Sequence, residues 1–437
     1  MTQSIKRLLS TDRGERNMLN KIKFITAISL CTILHSTTIQ AQGGQPEVEL
    51  SHWWNQPGEL QAVDEIRKAV EQRGAKFVET RISSWDSLRS NILKRISMGY
   101  APAITQWLAN DFTFSFEQMS AIYPMPSKWR DQPIEEVLFK EVYKGLSTEN
   151  GLVGMPMGIH IMNSALFSKS IYDELNLSLP KTWDEVLAQS VMIKEAGYVP
   201  IALSKEAWQL QVVMGSILLG ELGAENFMQF FIEGQSIKPW RKPLLRSFET
   251  FLGLKKFTDD AARERSWAES VSMIGENKAA MHFLGDFAKS ELAAKGYVAG
   301  VDFLCSLAPD SKGYMVYGID SFLMFNVKDP LLEEGQRVLF DVALDPEVQA
   351  KYINKKGGIP VRHGVNINDL DACAKDMYQQ WTHKDSKKIS FTGIGNPLRA
   401  SFIQNVLEKS WSNDGFTAEQ LVDLLIEMDE EALSKAN

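Results

Sequence analysis

The sequence predicts an α/β protein built on a parallel sheet and large enough for two domains. Three observations carry that expectation. The first hundred residues after an N-terminal leader alternate strand and helix. Without the leader the chain keeps about 396 residues, more than one hydrophobic core usually serves. Beyond the leader, no run reaches the ~18 apolar residues of a transmembrane helix.

The leader comes first in chain order. Basic "LNKIK" (19–23) precedes the apolar run "FITAISLCTIL" (24–34), and a small residue, Ala41, follows. Basic region, short apolar region and small-residue cleavage site together read as a secretory signal over 1–41, with Met18 as an alternative start. The run is too short to span a bilayer. Cys31 follows Leu30, where a lipid-anchor signal needs a small residue. The mature chain is therefore expected to begin near Gln42 and to be exported to the periplasm. Residues 1–41 hold six Lys/Arg and two Asp/Glu, so the net charge moves from −8 to −8 − 4 = −12. That acidic balance without basic clusters argues against nucleic acid or anionic membrane as a partner.

Next come the strands and helices. "VELSHWW" reads as a strand, and Leu60, Val63, Ile66 and Val70 mark an amphipathic helix stopped by Gly74. "KFVETRI" (76–82) is the second strand. Leu88, Ile92, Leu93 and Ile96 mark a second helix, ended by Gly99, before the strand "APAITQW". This βαβαβ order gives a parallel sheet that binds ligands at the carboxyl ends of its strands, where Trp53, Trp54 and Trp107 fall. "LVGMPMGIH" (152–160) reads as a strand leaving this domain. In "LPKTWDEVLAQSVMIKEAG", Thr182 is the expected N-cap, Glu185 completes a capping box, and Gly197 is the stop. Residues 205–275 read as mostly helical. "AAMHFLGDF" (279–287) is a strand running into a helix, with Asp286 at the junction. "TAEQLVDLLIEMDEEAL" is a C-terminal amphipathic helix.

"SHWWNQPGEL" (51–60) holds the candidate site. Adjacent strand residues point to opposite faces, so one Trp of the pair can lie in the core and the other at the surface. An apolar platform at a strand's end, with Glu59 close by, also suits a sugar ring, which has apolar C–H faces and a rim of hydroxyls. Cysteines are few. Once Cys31 leaves with the leader, Cys305 and Cys373 remain, either as one disulfide or as two separate buried thiols. No Cys/His cluster has metal-ligand spacing and the six histidines are scattered, so neither metal nor cofactor is expected.

"PKTWDEV", "GENKAAMHFLGDFAKSE", "GIDSFLMF" and "KKGGIPVR" give the mature chain a clear resemblance. It resembles the carbohydrate-binding periplasmic proteins of ABC importers, extracellular solute-binding protein family 1. "HWW…GE", "GVDFLC" with "DACA", and "IDSF" are similar to the glucose/mannose-binding branch. The resemblance implies a type II periplasmic binding protein, with two α/β lobes, a crossover hinge and a ligand cleft between the lobes. The chain would cross near Met155–Gly158 and near Ser306–Asp310. Lobe one would be 46–155 plus 309–360, and lobe two 156–308 plus 361–437. It also implies a Cys305–Cys373 disulfide.

Matched residue by residue, Trp53, Trp54 and Glu59 fall on the branch's sugar-contacting Trp pair and carboxylate. Asp320 and Lys356 fall on two further polar ligands. Gln106, His160, Trp208, Trp267 and Asp286 match residues lining the cleft, although Trp267 also reads as a core residue and Asp286 as a helix cap. The sequence departs from the branch elsewhere. Leu108 stands where a contacting Lys is expected, Ile161 and Ser164 replace an Arg and a Trp, and Leu210 replaces an Asp. Phe287 replaces a Trp, and a His is missing around Gly393. With Trp107 added, these departures predict a less polar cleft and leave glucose, another monosaccharide, an oligosaccharide or another ligand with an apolar face open. The implied partners are that carbohydrate and an inner-membrane ABC permease, with the protein a monomer. A sensory protein reporting to a histidine kinase or chemoreceptor is the alternative. An enzyme is not expected. Glu59 and Asp320 are the obvious carboxylate pair for glycoside hydrolysis, but nothing in the sequence sets them on opposite sides of a bond.

Overall fold

The computed structural model describes residues 44–109, 111–119, 121–232, 236–391 and 397–436. The signal expected over 1–41 and the position around Gly393 lie outside the described residues.

The strands of the two larger sheets are numbered here in chain order. They are β1 (Glu47–His52), β2 (Lys76–Arg81), β3 (Ile104–Leu108), β4 (Met155–Ile161), β5 (Ser164–Ser168), β6 (Val199–Ile201), β7 (Ala279–Leu284), β8 (Phe303–Leu307), β9 (Tyr314–Met324) and β10 (Lys387–Ser390). The six-stranded sheet runs β10-β9-β3-β1-β2, with β4 along the other side of β9. The four-stranded sheet runs β6-β7-β5-β8.

The expected βαβαβ unit is present, and β1 pairs in parallel with β2 and with β3. The connecting helix Pro57–Gln72 starts where Pro57 takes its first position and Gln56 and Glu59 close a capping box. It turns Ala62, Val63, Ile66, Ala69 and Val70 into the core. It ends at Gly74, whose φ of +79° disfavours a side chain. The second helix, Trp85–Ser97, is capped by Ser84 and followed by Gly99 at φ +78°. Thr182 caps the helix Trp183–Glu195 as expected, its hydroxyl accepting from the Glu185 N–H at 3.2 Å. The capping box there is only half made, because the Glu185 carboxylate reaches back to the Lys181 N–H instead.

β9 organises the first sheet. Its start pairs in parallel with β10, and its second half runs antiparallel to β3. On its other side, Tyr317–Phe322 run antiparallel to β4, with a register shift between Asp320 and Ser321. Asp320 therefore sits at a bulge, flanked by Leu108 on β3 and Gly158 on β4. Bulges re-aim side chains, and this one lies at the centre of the site described below.

The two largest of four apolar clusters among the described residues are separate. One packs Val48, Leu50, Ile66 and Phe322 with Tyr352 and Trp381 around the six-stranded sheet. The other packs Phe167, Trp183, Phe251 and Phe283 with Leu421 and Leu425 around the four-stranded sheet and the C-terminal helices. β4 and β5 follow one another across the two sheets, as do β8 and β9. The helix Ala372–Thr382, numbered with lobe two on sequence grounds, gives Ala374, Met377, Tyr378 and Trp381 to the first cluster. A disulfide joins its Cys373 to Cys305 on β8, with Cα atoms 5.7 Å apart.

Candidate functional site

Asp320 is the hub. It is 2 % exposed, and three donors from different elements converge on its carboxylate. The Nε2 of His160, on β4, lies 3.0 Å from one oxygen. Lys356 Nζ, at the end of the helix Pro346–Lys356, lies 3.4 Å from the same oxygen. The Gln106 amide, on β3, donates to the other oxygen at 3.4 Å. Burial pushes the Asp320 pKa up, but Lys356 and His160 outweigh it and hold the carboxyl below its ordinary value.

His160 extends the network. Its Nδ1 lies 3.1 Å from Asp286, whose second oxygen accepts from the Ile161 N–H at 3.0 Å. Asp286 follows β7, so this contact joins the two sheets. Asp286 makes no helix-capping bond with its side chain. The cap reading of this residue therefore gives way to a buried carboxylate held by His160. Burial and Lys356 lower the His160 pKa, while Asp320 and Asp286 raise it, and the raised direction wins. An imidazole facing a carboxylate at each nitrogen donates from both.

Aromatic rings flank these charges. Lys356 Nζ lies 5.1 Å from the Trp54 ring and 5.7 Å from the Phe287 ring, within the range of cation–π attraction. Phe287 also packs with Trp208 and Trp267, at centroid distances of 6.3 Å and 5.9 Å. Trp208 and Trp267 are half-buried, so neither is sealed in a core.

The Trp pair, just past the end of β1, divides between a half-buried and a buried position. Trp54 is buried against Phe322 and Lys356. Trp53 is half-buried and meets the Trp85 ring edge-on at 4.7 Å. The two indoles do not form one continuous floor, which corrects the simplest reading of "HWW". Trp107 is corrected too. It is fully buried against Trp85 and Phe116, on the opposite face of β3 from Gln106. Around Asp320, four charged or polar side chains meet. Leu210 lies in the second core and Leu108 is exposed.

Glu59 lies at the start of the helix Pro57–Gln72 and accepts from the Asn55 and Gln56 N–H groups, both at 3.1 Å. Burial raises its pKa, and Lys356 opposes that. Glu291, from the helix Lys289–Ala294 beyond β7, accepts from the Gly58 N–H at 3.2 Å. Burial pushes Glu291 up to about 7, with the Gly58 N–H acting against the rise and Glu59 adding to it. Sequence reasoning passed over Glu291, although it ends the quoted "GDFAKSE". Tyr352, one turn before Lys356, was also passed over. A polar-capable residue four positions before a candidate ligand Lys on the same helix was the available signal.

Among the described residues, no group of three or more His, Cys, Asp or Glu is placed to hold a metal ion. None of the described helices is long and apolar enough to cross a membrane.

The comparisons with known proteins agree on the fold. A probable sugar-binding periplasmic protein of Rhizobium meliloti is 26 % identical over 410 residues, covering 92 % of this chain and 98 % of its own. An uncharacterized ABC transporter extracellular-binding protein of Pyrococcus horikoshii is 22 % identical and covers 82 % of each chain. Among solved structures, the bacterial solute receptor AcbH, described as exclusively preferring β-D-galactopyranose, superposes with a TM-score of 0.74 at 13 % identity. It covers 90 % of this chain and 100 % of that one. A chitin oligosaccharide binding protein gives 0.70 at 15 % identity, covering 89 % and 100 %. Residues 65–350 match the bacterial extracellular solute-binding protein family, and the chain belongs to it.

Proposed function

We propose that the protein captures a carbohydrate between two lobes in the periplasm and delivers it, as a monomer, to an ABC permease. One observation carries the reading. A buried carboxylate, Asp320, draws in His160, Lys356 and Gln106 beside the Trp54 and Phe287 rings. Such a site offers both halves of sugar chemistry, apolar faces for C–H groups and fixed donors and acceptors for hydroxyls. The descriptions of the Rhizobium and Pyrococcus relatives support transport, and no observation favours the sensory alternative. In this reading the signal over 1–41 exports the chain.

The two apolar clusters are the cores of the proposed lobes, which the chain joins through β4–β5, through β8–β9 and through the segment after Lys356. Lobe one on this reading is 46–155 plus 309–360, with the helix Ala372–Thr382 packed on it. Trp53, Trp54, Glu59, Gln106, Asp320 and Lys356 are its ligand-binding side chains. His160, on the crossing strand, joins them to Asp286, Trp208 and Trp267 of lobe two. The site works by binding without bond-making. Lys356 and His160 keep Asp320 ionised, and Glu59 is tied to the backbone of its own helix start.

Calorimetric titration with D-glucose, D-mannose, D-galactose and chitin oligosaccharides tests this. At least one should bind, and Lys356→Met should weaken it about tenfold or more, the scale of a charged hydrogen bond. A folded protein that binds none would sink the reading.

A further inference from the structure

Tyr352 carries a hydroxyl that its fold does not use. The residue is fully buried in the first core, on the helix Pro346–Lys356. Its hydroxyl has no hydrogen-bond partner among the described atoms. A phenylalanine would fill the same core volume, whereas leaving a buried hydroxyl unpaired costs stability. Buried tyrosine hydroxyls usually find a partner for that reason.

Its position shows where such a partner would sit. Tyr352 precedes Lys356 by one helical turn, so both lie on one face, and Lys356 reaches Asp320. A Cβ on Gly158 would lie 3.7 Å from the Tyr352 ring and 3.9 Å from His160 Nε2. Gly158 is the β4 neighbour of Asp320. The absent side chain at Gly158 thus leaves the Tyr352 ring beside the hub. Burial, reinforced by Asp320 and Glu59, holds the phenol well above its ordinary pKa, so it stays a neutral donor.

A second unpaired atom belongs to a residue that contacts the same carboxylate. Gln106 is fully buried and gives its amide N–H to Asp320, but its Oε1 has no partner. Gln106 approaches from the β3 side and Tyr352 from the β4 side. One is an unused acceptor and the other an unused donor. A hydroxyl group, which both accepts and donates, is the chemistry that fits such a pair.

We propose that Tyr352 is a specificity-determining residue that donates to the innermost hydroxyl of the bound carbohydrate, with Gln106 Oε1 accepting at the same depth. This rests on the sugar-binding reading above. A site with unpaired buried polar groups rejects an analogue lacking the matching hydroxyl far more strongly than an apolar pocket rejects a missing methylene.

The test is Tyr352→Phe, examined by thermal unfolding without sugar and by calorimetric titration. The probes are D-glucose, D-mannose, D-galactose and D-xylose, with the monodeoxy forms of whichever binds. The unliganded variant should unfold at the wild-type temperature or slightly above, because no bond is lost. Its affinity for the bound sugar should fall about tenfold. One monodeoxy form should bind both proteins equally, which identifies the hydroxyl. A lowered unfolding temperature without sugar would show that the hydroxyl serves the fold, and would overturn the proposal. Unchanged affinity would overturn it as well, while leaving the sugar reading intact. Wild-type protein that binds no probe would overturn the sugar reading and this inference together.

Discussion

His160 shows how one residue links site chemistry to stability. With a carboxylate at each ring nitrogen, its charged form is favoured in the folded protein, and its pKa lies above the ordinary 6.5. Its stabilising contribution is therefore fully present below pH ~6.5 and is lost as the pH rises through the folded value. The unfolding midpoint should decline on that limb, and His160→Gln should flatten the decline. An equal slope in variant and wild type would contradict the assignment. Trp54 needs a different probe. It is 2 % exposed, so Trp54→Ala would remove a core side chain as well as the proposed ligand contact and cost about 3–5 kcal/mol of stability. Trp54→Phe keeps more of the packing, and it should weaken sugar binding by at least ~1 kcal/mol. Calorimetric titration reads that loss, and an unchanged affinity would remove Trp54 from the site.

The start of the helix Pro57–Gln72 closely faces the helix Lys289–Ala294. A Cβ on Gly58 would come within 2.6 Å of the Ser290 backbone, and Glu291 accepts from the Gly58 N–H. If these helices belong to opposite lobes, as proposed, Gly58→Ala should hold the lobes apart. Overpacking of this kind costs about 1–3 kcal/mol. The expected result is a sugar affinity at least fivefold weaker and a larger radius of gyration in solution scattering with sugar present. An unchanged radius and affinity would show that this contact does not limit closure. Glu291 adds its own pH dependence. Its pKa is raised from 4.5 to about 7, so its contribution is present below 4.5 and fades by about pH 7. Glu291→Gln keeps an oxygen for the Gly58 N–H, and it should remove that slope from the stability profile.

Much of the element scale was legible in the sequence. The glycines at 74, 99 and 197 stop helices where the apolar period ends, and all three have positive φ. Asp320 and Lys356 could be singled out because short motifs surround them, and the structure brings them together. Direction was less legible. "HWW" gives two rings but not their packing partners, which come from Trp85 and Phe322, distant in sequence. Trp107 looked like a site residue because it ends a strand, yet register turns it to the opposite face from Gln106. Glu291 meets the distant Gly58 N–H, a contact that no local pattern announces, whereas Tyr352 was marked only by its spacing from Lys356.

Among the described residues, one covalent tie links the sides of the two largest cores. Cys305 lies in the four-stranded sheet, and Cys373 lies on a helix packed against the first core. The 68-residue separation makes the bond worth roughly 2–4 kcal/mol by unfolded-chain entropy. The Cys305→Ser, Cys373→Ser double variant should lose that much in urea unfolding. Equal stability would show that the tie constrains little. The same whole-molecule view sets the decisive measurement, a thermal-shift screen of residues 42–437 against monosaccharides, short oligosaccharides and polyols. A sugar at 100 times its dissociation constant should add about 2.7 kcal/mol to the stability of a carbohydrate receptor, and the unfolding midpoint should rise. A well-folded protein whose midpoint no member of the panel moves would contradict carbohydrate capture by this cleft.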